Sequence, residues 1–146
     1  MDFWTDIYPA AEAAEAMLSS VDDDMSRLPK SVQVFLLVNG AQGAIDNGGF
    51  VCFFEGDWPG TPRYEDFIAA YETIGCVEQA VALRRIVATF PFSDPHLYPD
   101  KRQEFMDARY DKGIFGIPEW GSVLCFGKEV WGKLARYYEM HQDEFA

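Results

Sequence analysis

The stretch Ala44-Ile45-Asp46-Asn47-Gly48-Gly49-Phe50-Val51-Cys52-Phe53-Phe54 sets a glycine pair between two apolar segments. Glycine serves where a backbone must leave right-handed helical space or approach another element closely. Gly48-Gly49 therefore reads as the end of one helix and the start of another at a new angle. Phe50, Phe53 and Phe54 then re-enter at helical spacing to anchor the second segment in a core. A phosphate-binding loop needs a longer glycine pattern and usually a lysine, and neither is present. Asn47, Gly48, Gly49, Phe50, Phe53 and Phe54 are thus read first as a structural motif.

Upstream, Pro29 opens residues 30–46, where Val32, Phe35, Leu36, Asn39, Gln42, Gly43 and Ile45 follow at helical intervals. By propensity, residues 32–38 would also suit a buried strand; length and the polar Asn39 and Gln42 favour a central helix. Nearer the start, Ala10, Ala14, Met17, Leu18 and Val21 recur about once per turn. Pro9 suits the first turn and Asp6 is a candidate cap. Asp22-Asp23-Asp24 follows, either as the charged start of a short helix or as a solvated loop.

Downstream, Glu55-Gly56-Asp57-Trp58-Pro59-Gly60-Thr61-Pro62 carries two prolines and two glycines in eight residues, a surface loop holding one large aromatic. Thr61-Pro62 reads as the N-cap and first residue of a helix with Phe67, Ile68, Tyr71 and Ile74 on one stripe, stopped by Gly75. From Val77 the pattern resumes through Ala80, Leu83, Val87 and Phe90 until Pro91. The two helices should fold back as a hairpin with Arg84 and Arg85 at its outer edge. Residues 92–99 are a loop, and Pro99-Asp100 starts a charged helix to about Asp111 with Phe105 and Met106 as its core face. Residues 113–121 are apolar yet helix-hostile, an ordered connection buried on one side or a short strand. In the last helix Val130, Trp131, Leu134, Tyr137, Tyr138, His141 and Phe145 share a face. The expected fold is mainly α, a single-domain multi-helix bundle with a glycine-broken central helix pair. It spans residues 1–146, with an N-terminal helical segment at 1–27 and a core at 28–146.

A chain of 146 residues buries a sizeable core without disulfides or metals, and 49% hydrophobic with 16% aromatic content argues against disorder. No run has the length of a membrane span, and Met1-Asp2-Phe3-Trp4 lacks the basic start of a secretion signal, so a soluble cytoplasmic protein without membrane partners is expected. Cys52, Cys76 and Cys125 sit apart in apolar contexts without Cys-x-x-Cys spacing and read as buried free thiols. Charge is the least ordinary property. Against 12 bases stand 24 acids; residues 1–62 hold 10 acids and 2 bases, a net of −8, and residues 63–146 hold 14 and 10, a net of −4. Such a field disfavours direct nucleic-acid binding and speeds encounter with a basic partner.

Catalytic patterns are absent from the sequence. His96 and His141 have no His-x-x-x-His or Glu-x-x-His partner, so no metal or cofactor is expected. Ser122, in Trp-Gly-Ser-Val, is not in a Gly-x-Ser-x-Gly elbow, and Cys52 has no base that spacing identifies. Adjacent acids such as Glu65-Asp66 suit a helix start.

Asp46-Asn47-Gly48-Gly49-Phe50, the aromatic pair Phe53-Phe54, and Ala70-Tyr71-Glu72-Thr73-Ile74-Gly75 before a helix closing at Phe90 together resemble a bacterial domain-of-unknown-function family with an Asn-Gly-Gly-Phe core, that of a Neisseria DNA mimic. The resemblance covers about residues 28–146 and is strongest over 44–90. It implies a mainly helical fold and, for the characterised member, which is dimeric, a partner that is a DNA-binding transcription factor rather than DNA; a homodimer is one expectation for this chain. The chain departs from the family pattern at Ala44, where a Glu often stands, at Cys52 (Gln) and at Glu55 (Asn), leaving Asn47 as the matching polar residue of any shared site.

The leading expectation is a non-enzymatic acidic module, in its sharpest form a DNA mimic, occupying the basic surface of a transcription regulator or nucleic-acid-processing protein. Asp22, Asp23, Asp24, Asp46, Glu55 and Asp57 are the candidate partner-binding acids, since neighbours on a helix surface can present spaced carboxylates. The alternatives are a ligand-binding or hydrolase-like protein with a pocket near Asn47, Trp58 and His96, and an immunity protein against a basic toxin.

Overall fold

Pro29, at φ −54° and ψ 147°, turns the chain into its longest helix, and its carbonyl accepts from Val32 N and Gln33 N at 3.0 and 3.1 Å. The computed structural model describes residues 3–111 and 128–146. Residues 113–121, Ser122 and Cys125 lie outside them. The helix from Pro29, α2, runs Lys30–Glu55, so residues 32–38 are helical and not a strand. Its path breaks at the glycine pair. Gly48 takes φ −146°, ψ 17° and Gly49 takes φ 71°, ψ −165°, the latter a combination essentially confined to glycine. At Gly48 the constraint is steric, because a Cβ there would stand 2.7 Å from that of Cys52.

Val32, Val34, Phe35, Leu37, Val38, Ala41 and Ile45 are all buried, more than one stripe of the helix. The cause is its central position, since α1 (Tyr8–Ser20), α3 (Tyr64–Thr73), α5 (Pro99–Asp111) and α6 (Lys128–Met140) all pack against α2. Ala10, Ala14 and Leu18 turn one face of α1 inward. Asp6 lies in the wide turn Phe3–Ile7, and Ile7 rather than Asp6 holds the N-cap position of α1. The helix α4 (Val77–Val87) folds back on α3 as a hairpin.

Two boundaries differ from expectation. α3 starts at Tyr64 rather than at Pro62, because the Asp66 carboxylate reaches back to accept from Arg63 N at 3.0 Å and fixes Arg63 as the N-cap. α6 ends at Met140, and the tight turn Gln142–Glu144 then carries Phe145 back inside. There its ring meets Phe35 edge-on at 5.4 Å and Tyr138 at 4.9 Å. The apolar face thus continues in space where the helix does not. The described residues form six α-helices and no strand, a mainly-α bundle, and none of those helices is long and apolar enough to cross a membrane.

Candidate functional site

The same backbone motif ends α1 and α3, with different residues in it. After α3, Gly75 N donates to Glu72 O at 3.0 Å and Cys76 N to Tyr71 O at 2.8 Å, with Gly75 at φ 92°. After α1, Asp22 N donates to Ser19 O at 3.2 Å and Asp23 N to Leu18 O at 2.9 Å, and here Asp22 and Asp23 hold φ 54° and 62°. This is the helix-ending turn in which glycine is favoured, and α1 fills it with two exposed acids. Asp24 is the next N-cap, accepting from Ser26 N at 3.2 Å and from the Ser26 hydroxyl. Residues 22–24 are therefore a helix-ending turn followed by a cap, and all three acids are exposed.

Glu12 and Glu15 stand three apart on the exposed side of α1, an acid pair outside the candidate acids although its spacing is visible in the sequence. Glu12, Glu15, Asp22, Asp23 and Glu55 form no ion pair among the described residues. Several later acids do. Asp66 lies 3.5 Å from Arg63, Glu72 2.8 Å from Arg84, and Glu129 3.0 Å from Lys133, whose hydrogen bond holds the Glu129 carboxyl below its ordinary range.

Asp46 faces a different environment. It is half-buried, and its two oxygens accept from Gln42 Nε2 and Trp131 Nε1, each at 2.8 Å. The buried Tyr71 hydroxyl donates to Gln42 Oε1 at 2.9 Å, completing a chain of polar contacts that ties α2 to α3 and α6 beside the break. Burial pushes the Tyr71 phenol well above its ordinary pKa, which keeps it a donor. Asn47, one residue on, is exposed. Phe50, Phe53 and Phe54 are buried on the far side of the glycines, with Phe53 edge-on to Phe67 at 5.1 Å and Phe54 edge-on to Phe90 at 5.0 Å.

Trp58 does not project from its loop. Its ring packs 5.6 Å from Phe67 and so close to the backbone of α2 that a Cβ on Gly40 would come within 2.8 Å of it. Thr61 N donates to Trp58 O at 3.0 Å across the turn. Behind that turn lies a hollow of about 110 Å³ bordered by Trp58, Thr61, Tyr64, His96, Arg102 and Asp57. Trp58 and His96 thus share a concavity, and Asn47 does not border it. Arg102 is the side chain that sequence reasoning overlooked. It is buried at 2% exposure, donating through Nε to Phe54 O at 2.9 Å and through Nη1 to Pro95 O at 2.7 Å. It thereby satisfies a carbonyl left open at the end of α2.

Histidine is otherwise engaged at the C-terminus, where His141 lies 4.4 Å from the Tyr137 ring and its Nδ1 lies 3.3 Å from Glu144. Among the described residues no three His, Cys, Asp or Glu converge as metal ligands would. No curated protein and no solved structure matches the chain. A family does: residues 26–144, which include the broken helix, the Trp58 loop and the α3–α4 hairpin, match the family described as DMP19-like protein, and the chain belongs to it.

Proposed function

We propose that the protein is a non-enzymatic acidic binding module that covers the DNA-contacting surface of a basic protein, in the manner of a DNA mimic. Family membership and the resemblance at the Asn-Gly-Gly-Phe core support the class. The observation that carries the reading is the set of exposed acids on α1 and in the turn that ends it, none of them ion-paired among the described residues. Glu12, Glu15, Asp22 and Asp23 are exposed and without basic partners among the described residues, two of them in backbone that glycine would adopt more easily. Carboxylates left free of internal pairing keep their charge available to another molecule. Asp24 adds a further exposed acid, whereas Asp46, turned into the network with Gln42 and Trp131, is engaged within the fold.

The test is affinity capture from the native host at low salt, followed by DNA competition. The expected result is a basic DNA-binding protein that releases its duplex when this chain is added and whose affinity for the chain falls steeply with salt. Neutralising Asp22 and Asp23 to Asn should slow association, with Glu12→Gln and Glu15→Gln adding to the effect. Recovery of no basic protein, or a captured protein that binds its DNA and this chain together, overturns the reading.

A further inference from the structure

The hollow behind Trp58 is bordered by a buried guanidinium, that of Arg102. A buried guanidinium is costly unless its donors are hydrogen-bonded and its charge is paired. The Nε and Nη1 atoms of Arg102 meet backbone carbonyls, which carry only partial charge. Its Nη2 has Asp57 Oδ1 at 3.9 Å, beyond hydrogen-bonding reach, and the Asp57 side chain is 90% exposed. The counter-charge is therefore loose and free to turn into solvent.

Other donors border the same space. The buried Tyr64 hydroxyl is a donor at neutral pH; burial pushes its phenol up to about 12, with the Arg102 charge lowering it and the Asp57 charge raising it. Thr61 adds a hydroxyl and His96 a ring N–H. Asp57 is the one carboxylate on this rim, in a chain of net charge −12. Thr61 also sits at φ 46°, an outlier for a β-branched side chain. The hollow, at about 110 Å³, is well above the roughly 10–15 Å³ that one water needs and too small for a nucleotide.

We propose that this hollow binds a small carboxylic acid as its carboxylate, which takes the place of Asp57 at Arg102 Nη2 and accepts from the Tyr64 and Thr61 hydroxyls while its short apolar tail lies against Trp58. The site needs no partner protein and stands or falls separately from the exposed acids of α1 and its end.

The test is a titration of the full chain with propionate and acetate at constant ionic strength, following the Trp58 indole N–H by NMR, with chloride and inorganic phosphate as comparisons. Saturable shifts are expected with both acids, propionate the tighter, and neither chloride nor phosphate should saturate. Asp57→Asn should tighten propionate binding several-fold by removing the competing carboxylate. Thr61→Gly should weaken it several-fold while leaving the helical circular dichroism intact and raising the thermal midpoint, because glycine relieves the strained backbone. Arg102→Lys should abolish saturable binding, and the two variants above test the site even if that substitution prevents folding. Shifts no larger than those with chloride, phosphate saturating as tightly as propionate, or an Asp57→Asn variant with unchanged or weaker binding would each overturn the proposal.

Discussion

Asp22 and Gly75 occupy the same place in the same helix-ending turn, yet only one of them is the residue that turn favours. An L-residue in left-handed backbone costs about 1 kcal/mol, somewhat less for Asp than for most, and a carboxylate at a helix C-terminus also opposes the helix dipole. Asp22→Gly should therefore stabilise the fold by about 1 kcal/mol in urea denaturation while weakening the proposed association. A loss of stability would show that the Asp22 carboxylate makes a contact worth more than the strain. Side chains of one chemical type divide here by surroundings: Asp22 is exposed, and Asp46 is held by Gln42 and Trp131.

At the scale of elements, the break in α2 sets the bundle. It lets one arm of the helix present Phe35, Val38 and Ile45 while the other turns Phe53 and Phe54 toward α3 and Phe90. Gly49→Ala would force a Cβ into a conformation that costs roughly 1–3 kcal/mol, and the expected loss of stability is of that size. Gly43 provides the control. It lies within the regular part of α2 with open space where a Cβ would go, so Gly43→Ala should stabilise by about 1 kcal/mol. Equal effects of the two substitutions in thermal unfolding would refute the account of the break. The break was legible in the sequence because the glycine pair interrupts an otherwise helical pattern. The start of α3 and the end of α6 were not, since one depends on the backward reach of Asp66 and the other on Phe145 packing against Phe35.

For the whole molecule, several buried protons set the response to alkali. Burial raises the Cys76 thiol from an ordinary 9.0 to about 11 and the Tyr64 phenol from 10.0 to about 12, and it raises Tyr71 well above the same starting value. In each case the folded state holds the proton more tightly than the unfolded state. Their contribution to stability is full below about pH 9 and is lost as pH rises through the folded-state values. The urea midpoint should thus fall between pH 8 and pH 11, and Cys76→Ala should flatten the part of that fall nearest pH 9–11. A midpoint that holds steady over this range would contradict the burial of these groups. The same burial makes Cys76 unreactive toward thiol reagents until the chain unfolds.

What the sequence by itself determined is the succession of helices, the position of the break and the excess of acid, because these rest on local backbone chemistry and on composition. Glycine, proline and the spacing of apolar residues act within a few positions of themselves. What only the tertiary structure decided is which polar groups face solvent and which face one another. Asp46 is bound by a tryptophan 85 residues away, and Arg102 closes on a carbonyl 48 residues before it. Neither contact leaves a mark in the neighbouring sequence. A charged side chain is buried or exposed according to what packs over it, and that covering comes from distant parts of the chain.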